Sequence, residues 1–146
     1  MKKDKIRKTA LKILMFLLLF LAICKLLVFY LFQWYGADQV IRGEIYLPAG
    51  EKGVTREMTE AEMGSVISVL KEISAAPCLP DFGLNGVPGN LYLYGKHSTW
   101  NFVIAGDKIY LNFIPYKIPE KYREQLSSIS PYKIFPYEDW ESYAGE

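Results

Sequence analysis

The chain reads as an α+β protein: an N-terminal transmembrane helix followed by a small outer domain with an antiparallel β-meander packed against one or two helices. Three observations predict this. The twenty residues from Ile13 to Phe32 carry one charge, Lys25, and a helix of that length spans about 30 Å, the thickness of a bilayer hydrocarbon core. Thr59-Glu60-Ala61-Glu62 has the form of a capping box ahead of an amphipathic stretch. Between Asn90 and Ile114 the side chains alternate with the period of a strand and are punctuated by turn residues.

The apolar run is expected to be an uncleaved anchor. A secretory signal has an apolar core of ~7–15 residues followed by small residues at the cut, whereas here the run continues through Leu26, Leu27, Val28, Phe29, Tyr30, Leu31 and Phe32. Leu21-Ala22-Ile23-Cys24 resembles a lipobox, but Ile23 is not small and apolar residues continue past the cysteine. Lys25 costs ~2.5–3.5 kcal/mol near a helix centre. The surrounding Leu, Ile and Phe residues return about 0.3–0.6 kcal/mol each, so insertion still wins. Two roles stay open for Lys25: snorkelling to the outer surface, or pairing with an acidic residue in a partner's membrane helix.

Lys2, Lys3, Lys5, Arg7, Lys8 and Lys12 precede the run, and no positive charge follows it until Arg42. The positive-inside rule therefore predicts a cytoplasmic N-terminus and an extracytoplasmic C-terminal domain at the plasma membrane. Tyr30, Trp34 and Tyr35 suit the outer aromatic belt. The chain divides into a basic stub over 1–12, the membrane helix over 13–35, an α+β domain over 37–130 and an acidic aromatic tail over 131–146.

From Ala37 onward there are ten Lys and Arg against fifteen Asp and Glu, a net charge of −5. Such a domain is ill suited to nucleic acid, which demands clustered cations. Cys24 lies in the apolar run and Cys78 outside it, so no disulfide framework is expected and the core must suffice. A disulfide-free outer domain fits a bacterial surface, and a Gram-positive one well.

Val40, Ile41, Ile45, Tyr46 and Leu47 predict a first strand within Gln39–Leu47, and Val54–Met58 a short second one. Pro48 to Gly53 is a turn by composition. After the capping box, Met63, Val66, Ile67, Leu70 and Ile73 recur at spacings of three and four, one face of a helix. Three prolines and three glycines make Pro77–Gly89 an irregular loop.

Three strands follow, over Asn90–Tyr94, Thr99–Ala105 and Lys108–Ile114, with Gly106-Asp107 as a tight hairpin turn. Alternation places Leu91, Leu93, Trp100, Phe102, Ile104, Ile109, Leu111 and Phe113 on the core face. Tyr92, Tyr94, Asn101, Tyr110 and Asn112 share the opposite face, a half-wet surface of the kind found in protein interfaces. Pro119 at a first helical position predicts a last helix over about Glu120–Ile129. Tyr137 and Trp140 stand in the acidic tail.

Signals for chemistry are sparse. His97 is the single histidine and falls in a predicted turn. No zinc spacing, phosphate loop, dinucleotide fingerprint or EF-hand loop is present. Glu60 and Glu62 are explained by helix capping and the tail carboxylates by solubility. No catalytic residue, metal or cofactor is expected.

The lysine-rich start, apolar anchor, Thr-x-x-Glu helix and the Leu-Tyr-Leu-Tyr, Trp-Asn-Phe-Val-Ile and Ile-Tyr-Leu-Asn-Phe strands together resemble the small uncharacterised single-pass membrane-anchored proteins of Gram-positive bacteria. That resemblance spans the whole architecture and implies no residue roles. The expectation is a non-catalytic membrane-anchored module that binds a protein or peptide outside the membrane, as an immunity-like factor or an accessory subunit of an envelope complex. Its contacts would be Tyr92, Tyr94, Tyr110, Tyr137 and Trp140, with Lys25 inside the bilayer. The alternative is a module for a small envelope ligand, a lipid or glycan, held by the 77–89 loop.

Overall fold

The computed structural model describes residues 2–48, 53–80 and 88–136. Helix α1 (Lys2–Leu31) takes in the basic stub as well as the apolar run. It does not stop where the apolar residues stop. A π turn (Phe32–Gly36) and a short 3-10 turn (Ala37–Gln39) carry the chain directly into strand β1 (Val40–Leu47). This is the one helix among the described residues that is long and apolar enough to cross a membrane.

The described residues build one antiparallel seven-stranded sheet in the order β2-β1-β4-β5-β6-β7-β3. Its strands are β1, β2 (Val54–Glu57), β3 (Ala76–Pro77), β4 (Asn90–Gly95), β5 (Thr99–Ala105), β6 (Lys108–Leu111) and β7 (Ile114–Lys117). Helix α2 (Glu60–Glu72) precedes β3. A 3-10 turn (Glu120–Tyr122), α3 (Arg123–Ser128) and α4 (Pro131–Ile134) follow β7. The described chain is thus α+β with an N-terminal apolar helix.

The start of α2 is built as its residues demand. Glu62 N donates to Thr59 Oγ1 at 3.2 Å and Thr59 N donates to Glu62 Oε2 at 2.8 Å, a closed capping box. Its apolar stripe delivers Val66 and Leu70 to the same buried cluster as Ile45, Leu91, Leu93 and Phe102.

The third strand of the meander departs from expectation. Asn112 and Phe113 adopt positive φ, 47° and 69°, the backbone of a two-residue hairpin turn whose twist matches the flanking strands. The chain reverses there, so the expected strand 108–114 divides into β6 and β7. Phe113, expected in the core, is 85% exposed at the hairpin tip. Asn112 pins the turn to β5: its N–H donates to Asn101 O and its Oδ1 accepts from Asn101 N, both at 2.9 Å.

Two elements were not expected at all. Ala76 and Pro77 pair with Lys117 and Tyr116 as an edge strand, and α4 falls in the stretch read as tail.

The apolar run itself is two-sided. From Ile13 to Ile23 the large apolar side chains are exposed, but Phe29 and Phe32 are buried in the domain. Phe32 stands edge-on to Phe102 at 4.7 Å and to Trp100 at 5.3 Å between ring centroids, and Phe29 meets Tyr116 at 5.0 Å. Gly36 follows from this contact, because a Cβ there would lie 2.7 Å from Trp100 Cζ2. The Tyr116 hydroxyl donates to the Lys25 carbonyl. Gln33 completes the join: its Nε2 donates to Leu70 O at 2.9 Å and to Ile73 O at 2.7 Å. Those are two carbonyls that the end of α2 leaves without intrahelical partners.

Candidate functional site

The half-exposed side of the central strands carries most of the polar aromatic residues singled out by the alternation. In β4, Leu91 and Leu93 point into the core, so Tyr92 and Tyr94 emerge together on the other side. Their rings lie 6.4 Å apart between centroids and nearly parallel, at 25°. Tyr94 Oη donates to Glu44 Oε2 at 2.8 Å. Arg42 lies over the Tyr94 ring at 4.5 Å and reaches Glu44 Oε1 at 3.2 Å. Burial, followed by the bond to Glu44, pushes the Tyr94 phenol above its ordinary value. It remains a neutral donor through the physiological range.

The network continues across the sheet. Asn90 Nδ2 donates to Tyr92 Oη at 3.2 Å and to Asn101 Oδ1 at 3.1 Å. Register brings Glu44, Tyr92 and Asn101 into one row over three strands. The result is a set of aromatic and amide groups whose rotamers are fixed by mutual hydrogen bonds. Chemically it can stack on planar or apolar groups and exchange hydrogen bonds with backbone amides or hydroxyls.

Tyr110 shares the face but stands apart. It pairs with Val103 in β5, so one strand lies between it and β4, two strand spacings or roughly 10 Å at about 4.8 Å each. Lys25 is not part of the constellation: it is half-buried on the domain side of α1, with its carbonyl bound by Tyr116. Tyr137 and Trp140 lie outside the described residues, as do residues 81–87 of the 77–89 loop. At the near end of that loop Leu79 is 82% exposed.

Arg42, Glu44 and Asn90 were missed at sequence level. Arg42 and Glu44 are two apart in a predicted strand and so share a side. What hid them is the pairing of β1 with β4, which carries a bulge between Val40 and Arg42. Without that register nothing placed them beside Tyr94.

A groove of about 420 Å³ lies between α2 and the C-terminal helices, lined by Ala61, Glu62, Ser65, Ser128, Ile129 and Ile134. Its charged member is already engaged, since Arg56 holds both Glu62 oxygens at 2.9 Å. That bond, first of all, keeps the Glu62 carboxyl below its ordinary value. His97 sits exposed in the β4–β5 turn. Among the described residues no group of three or more His, Cys, Asp and Glu could hold a metal ion. No family model, curated protein or solved structure matches the chain.

Proposed function

We propose that this protein is a single-pass, non-catalytic binding module whose tyrosine face receives a protein or peptide segment outside the plasma membrane. On this reading Ile13–Phe32 is the anchor, the six cations before it hold the N-terminus in the cytoplasm, and α2 with the C-terminal helices backs the sheet. The observation that carries the reading is the Arg42–Glu44–Tyr94 and Asn90–Tyr92–Asn101 network. Tyrosines already fixed by neighbours lose little side-chain freedom on binding, which is what makes such residues good interface anchors. An immunity-like factor or an accessory subunit of an envelope complex would both use a face of this kind.

The test is crosslinking in intact cells with a tagged full-length copy, followed by identification of the captured species. The expected result is one specific protein, lost in the Tyr92→Ala/Tyr94→Ala variant and retained with His97→Ala. Capture unaffected by the tyrosine pair but lost with Leu79→Ala would reject the face and favour a ligand at the 77–89 loop.

A further inference from the structure

The segment of α1 that enters the domain has a second side that the domain does not touch. Half-buried or buried positions run Lys25, Val28, Phe29, Phe32, Gln33 and Gly36, a single stripe along the helix. The alternate stripe is Leu26, Leu27, Tyr30, Leu31, Trp34 and Tyr35, all exposed and all apolar or aromatic, with Trp34 at 71%. Tyr30 and Trp34 stack along it at 6.4 Å between centroids.

Length decides what this stripe meets. The stretch between Lys12 and Lys25 with no charge at all holds twelve residues, about 18 Å of helix against about 30 Å of hydrocarbon core. The missing depth has to come partly from beyond Lys25. It cannot come from the gripped side, which brings Gln33, Tyr116 and the polar sheet with it.

The pairing of helix and sheet also sets direction. Trp100 lies at Gly36, Phe102 at Phe32, and Tyr116 at Phe29 and Lys25. Moving toward the N-terminus of α1 therefore leads along β5 to its Gly106-Asp107 turn and along β7 to Lys117. Lys117 pairs with Lys108, and Asp107 in the turn lies 4.0 Å from Arg123, so this end of the sheet is polar and charged.

We propose that the Leu26–Tyr35 stripe is a bilayer contact and that the outer membrane surface crosses α1 obliquely. On the gripped side the surface lies within snorkelling reach of Lys25, and on the opposite side the stripe runs on through the headgroup layer to Trp34 and Tyr35. The domain then rests directly on the headgroups, with the β5–β6 turn and Lys117 toward them. Lys25 lies close enough to the surface that its ammonium reaches water without a partner helix. Trp34 and Tyr35 take the headgroup depth that amphipathic rings prefer. The inference rests on the anchor reading above and adds to it where the domain sits.

The full chain, in a Cys24→Ala/Cys78→Ala background, is labelled with an environment-sensitive fluorophore at Leu18→Cys, Tyr30→Cys, Trp34→Cys or Lys96→Cys. It is then reconstituted in phosphatidylcholine–phosphatidylglycerol vesicles containing lipids with a shallow or a deep acyl-chain nitroxide. The expected result is deep quenching at position 18, quenching at 30 and 34 that is stronger with the shallow nitroxide, and no quenching at 96. Quenching at 18 with none at 30 and 34 overturns the inference while leaving the anchor intact. In that case oxidative crosslinking of the Trp34→Cys protein to itself would show a second copy on the stripe. Absence of quenching at 18 overturns the anchor and the inference together.

Discussion

Replacing Phe32 by alanine separates a core aromatic from an exposed one on the same helix. In the structure its ring is fully buried between Phe102 and Trp100. Truncation removes the ring's burial and leaves a cavity walled by two aromatic rings that cannot collapse far, so the cost is about 3–5 kcal/mol. The edge-on pairs contribute part of that, at roughly 0.5–1.5 kcal/mol each beyond area. Against a domain stability of about 5–15 kcal/mol this is a large fraction. The assay is urea unfolding of the full chain in detergent micelles, read by tryptophan fluorescence. With a slope of about 1–3 kcal/mol/M the midpoint should fall by on the order of 2 M. Phe20→Ala is the control, because Phe20 lies on the same helix and is 57% exposed; its midpoint should not move. Equal midpoints for Phe32→Ala and wild type would refute the reasoning and return Phe32 to the exposed side of the helix.

Gln33→Ala should cost about 1–3 kcal/mol in the same assay, because two carbonyls at the end of α2 lose their donor; a Gln33→Glu variant, which keeps size but not the donor, should cost at least as much. Glu62 gives a pH signature. Its carboxyl is held below its ordinary value of 4.5, so the stability it supplies is present above that pH and disappears as pH falls through the lowered folded value. Glu62→Gln should therefore lie below wild type at neutral pH and converge with it in acid; a constant gap would exclude the linkage. Phe113→Gly should raise stability by about 0.5–1 kcal/mol. It relieves roughly 1–2 kcal/mol of left-handed backbone cost and gives back part through the freer unfolded chain. A fall in stability would mean that the exposed ring makes contacts that matter in the isolated protein.

How far the sequence could be read depended on how local each signal was. The capping box is a four-residue pattern whose partners are Thr59 and Glu62 themselves, so it was legible. So were Tyr92 and Tyr94, which follow from alternation between Leu91 and Leu93. The Asn112-Phe113 turn was not, because neither residue is glycine and the alternation Ile109, Leu111, Phe113 runs straight through it. Its backbone is held by Asn101 on a neighbouring strand, a partner that no window of residues reveals. Phe29 and Phe32 were hidden for the opposite reason. In a run that is apolar on every side, a core-facing ring gives no periodic contrast with an exposed one. Gln33, the first uncharged polar residue past the run, marked the boundary. Its task, capping an element some forty residues later, became visible only once α2 was placed.

The unbroken passage from α1 through the π and 3-10 turns into β1 makes the helix a handle instead of a tether. A flexible linker would let the domain sample orientations. Here any rotation of α1 about its axis is a rotation of the tyrosine face by the same angle. Each residue of a helix turns the chain by about 100°, so a single insertion between Lys12 and Lys25 would re-aim that face by more than a quarter circle relative to the N-terminal end of the helix. A domain of about a hundred residues has a radius of gyration near 13 Å, so on the proposed reading the face would work at a fixed and short reach, and a partner would have to be delivered to that height and heading.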